Sequence, residues 1–365
     1  MVSNGVVYII SQAPDASVSV DALDANRGTL LWKYVPQDST GSDITPAVGN
    51  GAVIFRYSSH DGVHLCGLNA GTGVLLWDNV LQPWIIEMDN RIPNIASDVV
   101  YVEWSDVNFL GHFGAYDTAT GVRLWDFSTW IESGRGLGYF SPAVANGKVY
   151  FANPPGGVWA LSLDGIPVWF RGGREPTSSP AVANGVMYLA YHTSSGDNGV
   201  VALDARTGAL IGRFGPVFGI QSSPAVTNDA MYVGAEDGNL YAWNINTRAL
   251  MWTFPTGTGY LISSPAVANG VVYFGSWWSD NSVYALDAST GAVLWKYTTG
   301  DAIDSSPAVA NGMVYIASGG WGYDAILYAF GLPSDQMSKD FSPPERPDPR
   351  LLQPDGSLQP KHASD

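Results

Sequence analysis

Cysteine and charge are both scarce in this chain of 365 residues. Cys66 is the only cysteine, so no disulfide can form within the chain, and we predict a buried structural thiol. Charged residues make up 14% of the sequence, and 17 basic against 33 acidic residues give a formal net charge of −16. A surface this acidic repels the phosphate backbone of nucleic acids, so we predict that nucleic acid is not a partner.

Long apolar runs are missing as well. No stretch approaches the roughly 18 consecutive apolar residues of a membrane-spanning helix, so we predict no membrane span. The opening letters MVSNGVVYIIS contain neither the charged region nor the cleavage site of a signal peptide, and none is expected in this chain.

What the sequence has in abundance is an internal repeat, which must be identified before any fold is assigned. A phrase resembling Ser-Ser-Pro-Ala-Val recurs 38 to 49 residues apart, at Pro46, Pro93, Pro142, Pro180, Pro224, Pro265 and Pro307. Each copy continues with a turn such as Asn-Gly, an alternating apolar run, and a phrase such as ALDASTGAVLW. Asn-Gly supplies the two positive φ angles of a tight hairpin turn, and Asp accepts backbone N–H bonds in the later Thr-Gly turn. Each copy therefore predicts four short strands, A to D.

Four-stranded units of this length, repeated in series, predict an all-β propeller of antiparallel blades. The sequence contains eight runs of type B and eight of type C, but only seven of type A and seven of type D. We therefore predict eight blades with incomplete closure: the first blade lacks strand A, the last lacks strand D, and a missing N-terminal segment would complete the ring. A seven-bladed ring is the alternative, although it leaves two strands unplaced. The propeller is assigned to residues 1–332, and the proline-rich residues 333–365 are predicted to be a disordered or extended tail.

The phrase Ala-x-Asp-x-x-Thr-Gly-x-x-x-Trp resembles the tryptophan-docking motif of the PQQ-type, quinoprotein-like β-propeller repeat. That repeat occurs in quinoprotein alcohol dehydrogenases and in the propeller lipoprotein of the bacterial outer-membrane assembly machine, and the resemblance covers about residues 4–332. It implies that one tryptophan per blade closes the gap to a neighbouring blade. The tryptophans to which it assigns this structural role are Trp32, Trp77, Trp125, Trp169, Trp252 and Trp295. Gly212 replaces the tryptophan in copy five and Arg248 replaces the glycine in copy six, so weaker docking is expected there.

The resemblance raises PQQ with calcium as a cofactor. Quinoprotein dehydrogenases pack the quinone against a disulfide between adjacent cysteines and hold calcium with carboxylates and an asparagine. A single cysteine makes that disulfide impossible, and no calcium-binding or catalytic-aspartate motif is matched. We therefore predict no cofactor and no metal site, with PQQ and calcium as the alternative.

The variable segments of the repeat are predicted to lie together. Because strand direction alternates, the B–C loops and the D–A links between blades share one side of each blade, which we call the long-loop side. These segments contain six tryptophans outside the docking motif and the histidines His60, His64, His112 and His192. Clustered aromatic residues often mark interfaces. The candidate ligand-binding residues, including three predicted at the mouth of a central funnel (Tyr139, Gln221 and Asp304), are Trp84, Glu87, Asp89, Arg91, Trp104, Trp130, Glu132, Arg135, Tyr139, His192, Gln221, Trp277, Trp278, Asp304 and Trp321.

These residues predict a non-catalytic scaffold that binds a protein, peptide or glycan, and the resemblance implies a location in the bacterial periplasm or outside the cell. The alternative is an enzyme acting in the funnel, either a diverged PQQ-dependent dehydrogenase or a cofactor-free enzyme. A convergent group of Glu87, Asp89, Arg91, Glu132 and His192 would favour the enzyme. Surface ion pairs beside an aromatic patch would favour the scaffold.

Overall fold

The computed structural model describes most of the repeat region. The described residues are 1–13, 17–42, 45–82, 92–105, 110–130, 140–153, 157–193, 196, 198–215, 217, 219–257, 259–277, 280–319, 325–331 and 350–352. They form eight antiparallel sheets, the blades of an eight-bladed propeller, which confirms the predicted fold class and excludes seven blades. Within these ranges no helix has the length and hydropathy needed to cross a bilayer.

Contacts divide the chain into two compact units. Unit 1 contains Met1–Ala25 and Leu30–Gly212, and unit 2 contains Asn26–Thr29 and Arg213–Asp365. Blades 1 to 4, and blade 5 as far as Gly212, belong to unit 1, apart from the C–D turn of blade 1. Blades 6 to 8 belong to unit 2.

The first five blades take their strands in chain order. Blade 1 contains β1 (Val2–Ser3), β2 (Val6–Gln12), β3 (Val18–Asp24) and β4 (Leu30–Tyr34). Blade 2 contains β5 (Gly41–Ser42), β6 (Ala47–Gly49), β7 (Ala52–Ser59), β8 (Gly62–Asn69) and β9 (Leu75–Gln82). Blade 3 contains β10 (Asn94–Ala96), β11 (Val99–Ser105), β12 (Leu110–Asp117) and β13 (Arg123–Trp130). Blade 4 contains β14 (Ala143–Ala145), β15 (Lys148–Asn153), β16 (Gly157–Ser162) and β17 (Pro167–Arg171). Blade 5 contains β18 (Glu175–Pro176), β19 (Ala181–Ala183), β20 (Val186–His192), β21 (Gly199–Asp204) and β22 (Leu210–Phe214).

The last three blades follow the same order. Blade 6 contains β23 (Ala225–Val226), β24 (Ala230–Gly234), β25 (Asn239–Asn244) and β26 (Leu250–Pro255). Blade 7 contains β27 (Ala266–Ala268), β28 (Val271–Gly275), β29 (Ser282–Asp287) and β30 (Val293–Thr298). Blade 8 contains β31 (Ala308–Ala310), β32 (Met313–Ser318), β33 (Ile326–Gly331) and β34 (Arg350–Leu352).

Blades 1 and 8 each have four strands. The prediction that blade 1 lacks strand A and blade 8 lacks strand D was therefore wrong. β1 supplies strand A of blade 1 through the pairs Val2↔Val7 and Ser3↔Val6. β34 supplies strand D of blade 8 through three pairs with β33. These strands are two and three residues long, and β34 follows a proline-rich stretch, so neither contains an alternating pattern that reveals it in the sequence.

The two predicted turn types are confirmed. In the six A–B turns with the sequence Asn-Gly both residues have positive φ, for example Asn269 at 51° and Gly270 at 75°. In the C–D turns the side chain of Asp204 accepts hydrogen bonds from the backbone N–H groups of Arg206 and Thr207 at 3.0 and 2.8 Å. Asn69 and Asn244 accept equivalent bonds in blades 2 and 6.

Strand D carries the tryptophans of the repeated motif, and five of their indole N–H groups donate to a carbonyl in the next blade. The pairs are Trp32 with Ala70 (3.0 Å), Trp77 with Thr118 (2.9 Å), Trp125 with Leu163 (2.7 Å), Trp169 with Ala205 (3.1 Å) and Trp252 with Ala288 (3.1 Å). Each ring also covers a glycine of that turn. A Cβ added at Gly73, for example, would lie 2.6 Å from Trp32 Cε3. The sixth tryptophan, Trp295, packs at a tilt against Phe330 of blade 8 with ring centroids 5.1 Å apart.

The two serines of the Ser-Ser-Pro motif form hydrogen bonds within a blade and between neighbouring blades. The Ser222 hydroxyl accepts a hydrogen bond from the N–H of Gly234 within its own blade, at 2.7 Å. The Ser264 hydroxyl accepts one from the N–H of Ser223, in the preceding blade, at 2.8 Å. The first serine therefore holds strand B of its own blade, and the second holds the neighbouring blade.

Neighbouring blades bury apolar clusters between their faces. The cluster between blades 1 and 2 joins Val20 and Ala22 to Val53, Phe55 and Cys66. The Cys66 side chain is fully buried, as predicted, and this burial raises the pKa of its thiol well above the ordinary value. A protonated, inaccessible thiol is a packing group rather than a nucleophile.

Candidate functional site

Several predicted site residues lie outside the described part of the chain. These are Trp84, Glu87, Asp89, Arg91, Glu132, Arg135, Tyr139, Trp278 and Trp321, and of Trp130 only the backbone is described. The convergent acid–base group that would favour an enzyme therefore has only His192 among the described residues.

The B–C segments of blades 2 and 3 are shorter than predicted, because strands extend into them. Trp104, predicted in a variable loop as a candidate ligand-binding residue, lies on β11 and is only 4% exposed, so its ring is buried in the blade. His64 lies on β8 and His112 on β12, rather than in irregular loops.

Blades 2 and 3 share one arrangement across strands B, C and D, which we call the aromatic–histidine–aspartate ladder. In blade 3, Trp104 stacks on His112 with ring centroids 5.1 Å apart, and His112 Nδ1 lies 3.2 Å from Asp126 Oδ1. In blade 2, Tyr57 stacks on His64 at 4.5 Å.

The ladder of blade 2 includes a serine. His64 Nδ1 lies 2.8 Å from Asp78 Oδ1, and His64 Nε2 lies 2.9 Å from the Ser59 hydroxyl. This is the connectivity of a catalytic triad. However, Ser59 is 3% exposed, and the Asp61 carboxylate contacts both the Ser59 hydroxyl and His64 Nε2, where a substrate would have to approach. The hydrogen bond with the Ser59 hydroxyl, and to a smaller extent that with His64, lowers the pKa of Asp61 to about 2.

Blade 3 repeats the histidine–aspartate pair beside an aromatic ring, so this part of the ladder is shared by two blades. It joins three strands of one sheet through stacking and hydrogen bonds. We therefore assign Ser59 and His64 a structural function, which satisfies polar groups at the end of the blade.

Three further candidates are described, one in unit 1 and two in unit 2. In unit 1, His192 is exposed, and its Nδ1 lies 3.7 Å from Glu175 Oε2. In unit 2, Gln221 donates a hydrogen bond to Glu236. The Asp304 residue is exposed, and partial desolvation of its carboxyl raises the pKa of that group. Among the described residues, no three His, Cys, Asp or Glu side chains are grouped to hold a metal ion.

Unit 2 displays an aromatic pair on its long-loop side. Tyr260, in the link between blades 6 and 7, is 47% exposed. Its ring centroid lies 5.9 Å from that of Trp277, a half-buried residue two positions after the end of strand B of blade 7. Partly exposed aromatic rings of this kind are typical of binding surfaces.

Unit 1 contains a recess that the sequence analysis did not identify. We call it the arginine recess; it lies between blades 4 and 5, and its lining includes Arg171, Arg174, Tyr191, Leu189 and Leu203. The letters RGGR at 171–174, in a chain with few basic residues, are the one sequence signal that marks it.

The family of the chain follows from its repeats. A family model described as "Outer membrane protein assembly factor BamB" matches residues 16–195 and 196–325. The chain belongs to the BamB family. BamB of Moranella endobia (strain PCIT) is 26% identical to it over 262 residues, which cover 67% of this chain and 61% of that protein.

The BamB-family chain is also similar to quinone-dependent dehydrogenases. The dehydrogenase subunit of the quinone alcohol dehydrogenase of Gluconacetobacter polyoxogenes is 28% identical over 239 residues, 59% of this chain. The chain spans only about a third (32%) of that protein's length.

Solved structures show the same fold. BamB from Moraxella catarrhalis superposes with a TM-score of 0.64 at 20% identity, over 85% of this chain and 90% of that one. A europium-containing methanol dehydrogenase superposes with a TM-score of 0.62 at 16% identity, over 90% of this chain and 81% of that one. At these identities the likeness concerns the propeller architecture alone.

Proposed function

We propose that this chain is a non-catalytic scaffold, placed in the periplasm or outside the cell, that binds a protein or peptide partner on its long-loop side. The observation that carries the proposal is the contact between the exposed ring of Tyr260 and the half-buried ring of Trp277. Membership of a family named for an outer-membrane assembly factor supports a protein partner over a glycan.

The described chemistry agrees with binding rather than catalysis. The polar groups in the ladder of blade 2 are bonded to one another, and the Ser59 hydroxyl is buried. An aromatic pair needs no reactive group, because it contributes affinity by burying apolar area against a partner.

A site-specific photo-crosslinker tests this proposal. Benzoylphenylalanine replaces Tyr260 in one variant and Phe170 in the control, since Phe170 is equally exposed (48%) but lies on strand D of blade 4. In the source organism, we expect a discrete cross-linked protein from position 260 that is absent from position 170 and lost when Trp277→Ala is added. Equal products at both positions, or none at position 260, would overturn the proposal, and protection of position 260 by oligosaccharide would indicate a glycan.

A quinone-dependent dehydrogenase is the second candidate, favoured by the sequence similarity to the quinone alcohol dehydrogenase subunit. The single cysteine is buried between blades 1 and 2, so it cannot pack against a quinone as a disulfide of adjacent cysteines does. Native mass spectrometry and an absorbance spectrum, before and after addition of PQQ and calcium, decide this alternative. A stoichiometric quinone adduct would establish a minimal quinoprotein.

A further inference from the structure

Tyr260 is held against the B–C turn of blade 6, within unit 2. The N–H of the residue that follows it, Leu261, donates to the carbonyl of Ala235 at 3.0 Å. The residue that precedes it also touches this turn, since a Cβ added at Gly238 would lie 2.7 Å from the carbonyl oxygen of Gly259. The other two residues of the turn, with the letters ED, are acidic, so Tyr260 lies in a segment that packs on an acidic turn.

Trp277 belongs to the B–C segment of blade 7, and the link from blade 7 to blade 8 packs on that segment. The N–H of Ile303 in this link donates to the carbonyl of Ser276, the residue before the tryptophan, at 3.2 Å. Asp301 and Asp304 flank Ile303 along the chain, and Asp304 is exposed. Acidic residues therefore accompany the second ring of the aromatic pair as well.

The long-loop segments around the pair carry charge of one sign. These segments are the B–C segments of blades 6 and 7 and the three links beside them, residues 215–224, 235–238, 256–265, 276–281 and 299–307. They contain no lysine, arginine or histidine, and their five acidic residues are Glu236, Asp237, Asp280, Asp301 and Asp304. The corresponding segments of unit 1, in contrast, include Arg91, Arg135 and Arg174. Negative charge beside partly exposed aromatic rings favours a partner of positive charge.

The strands of this region neutralise only part of that charge. In β22 to β30 the only basic residues are Arg213, on strand D of blade 5, and Lys296, on strand D of blade 7. Lys296 Nζ lies 2.8 Å from Asp280 Oδ2, so these two charges offset each other. Asp237 is exposed, and the Tyr241 hydroxyl donates to its Oδ2 at 2.6 Å, a bond that orients the carboxylate without adding a positive charge.

We propose that the partner segment bound at Tyr260 and Trp277 is basic: an extended, arginine-containing stretch of a protein, whose guanidinium groups stack on the Tyr260 ring and pair with the carboxylates of the neighbouring turn. This inference rests on the proposed scaffold function and names the chemistry of its partner. Arginine suits both contacts, because its planar group stacks on an aromatic face while its N–H edge binds a carboxylate.

Peptides of defined sequence test the charge preference on the intact protein. The probe is a fluorescently labelled peptide of alternating glycine and arginine with three arginines, and its affinity is measured by fluorescence anisotropy. In one control peptide citrulline replaces arginine, which keeps the shape and removes the charge, and in the other lysine keeps the charge and removes the planar group. We expect the citrulline peptide to bind at least about tenfold more weakly, and the lysine peptide to bind with intermediate affinity. Equal affinities of the arginine and citrulline peptides would overturn the proposal, and this comparison needs no protein variant.

Matched variants locate the binding surface. The double variant Glu236→Gln with Asp237→Asn is expected to weaken binding of the arginine peptide about fivefold or more, and Tyr260→Ala about twofold to fivefold. The control, Asp229→Asn with Asp287→Asn, also removes two negative charges from unit 2, but in the A–B turn of blade 6 and the C–D turn of blade 7, at the opposite end of these blades. It should change the affinity by less than about twofold, since exposed charges at that distance are screened. Equal weakening by the two double variants would show non-specific attraction to an acidic protein and overturn the proposal.

The photo-crosslinker at position 260 separates this inference from the scaffold proposal. When Glu236→Gln and Asp237→Asn are added to that protein, we expect the yield of the cross-linked partner to fall several-fold. An unchanged yield would overturn the basic partner segment and leave the scaffold proposal standing. If position 260 gives no cross-linked product without these two substitutions, the scaffold proposal itself is overturned.

Discussion

At the scale of single residues, the position opposite each tryptophan of strand D decides how deeply that ring is buried. Ala22, Ala115, Ala160, Ala242 and Ala285 occupy it in five blades, each paired with the tryptophan of its own blade. In blade 2 the residue is Gly67, and Trp77 is there only 8% exposed. The missing methyl group makes room for a more deeply buried ring.

Gly67→Ala therefore tests whether Trp77 needs that space. The new Cβ would lie 2.4 Å from Trp77 Cε2, so the ring must move, and we expect a loss of about 1–3 kcal/mol in the free energy of unfolding. Urea unfolding measures the loss. Gly71→Ala in the same blade is the control, since its nearest contact is Asn69 Oδ1 at 3.5 Å, and it should change stability by less than about 0.5 kcal/mol. Equal effects of the two substitutions would contradict this account of Trp77.

Arg248 is a second residue-scale feature, because it has a left-handed backbone where other copies have glycine. Its φ is 63°, a region that costs a residue with a Cβ about 1–2 kcal/mol. Arg248→Gly removes this cost, but glycine loses more backbone entropy on folding, which costs about 0.5–1 kcal/mol. We expect a net gain of roughly 0.5–1 kcal/mol in stability, measured by thermal and urea unfolding.

The same substitution at Arg206 supplies the control. Arg206 belongs to the corresponding turn of blade 5 but is not among the residues with positive φ. Arg206→Gly should therefore lower stability by about 0.5–1 kcal/mol. If both variants shift stability in the same direction, backbone strain at Arg248 is not the cause.

At the scale of elements, the C–D turns couple the fold to pH. Hydrogen bonds from hydroxyl groups, chiefly those of Thr120, Thr207 and Ser289, lower the pKa values of Asp117, Asp204 and Asp287. A carboxyl group whose pKa is lower in the folded state contributes stability above its unfolded-state pKa, near 4, and loses it as pH falls through the folded-state pKa. The aspartate turns should therefore weaken in acid.

Replacing the three aspartates together by asparagine tests this coupling, because Asn69 and Asn244 already hold equivalent turns with an amide. We expect the triple variant to lose less stability than the unmodified protein between about pH 5 and about pH 3, as measured by urea unfolding at each pH. The opposite variant, Asn69→Asp with Asn244→Asp, should lose more. Parallel pH profiles for all three proteins would show that the turns do not contribute.

The elements also show which features sequence reasoning can recover. The strands and turns of the repeat were predictable, because alternation and Asn-Gly report local geometry that every copy shares. The alternation of apolar residues also puts Trp104 on the same face of β11 as Val100 and Val102, and this face packs on blade 2. The prediction that assigned Trp104 to a loop did not use this pattern. The arginine recess was not predictable, since it depends on side chains from two blades that no sequence period relates.

At the scale of the whole molecule, the last blade depends on a distant segment. β34 pairs with β33, but residues 332–349 separate the two strands, whereas β29 and β30 of blade 7 are joined by residues 288–292. The predicted disordered or extended character of residues 333–365 remains a prediction. Only Arg350–Leu352 of that segment are described, as strand.

Two truncations separate the contribution of β34 from that of the rest of the tail. A chain ending at Gly331 exposes the edge of β33, so we expect a lower unfolding temperature and concentration-dependent association, because an unpaired strand edge recruits other chains. A chain ending at Leu352 retains β34 and should behave as the full chain does. Calorimetry and analytical ultracentrifugation measure both properties. Identical behaviour of the two truncated chains would show that β34 does not stabilise blade 8.

The contact between tryptophan and turn glycine has a consequence for how such proteins change over generations. Each standard blade carries the tryptophan for its successor and the glycine for its predecessor, as Trp77 and Gly73 do in blade 2. A gene segment that encodes one blade therefore encodes both halves of the junction. When such a segment is duplicated or lost, the new neighbours already match, so the number of blades can change in one genetic event without a new interface.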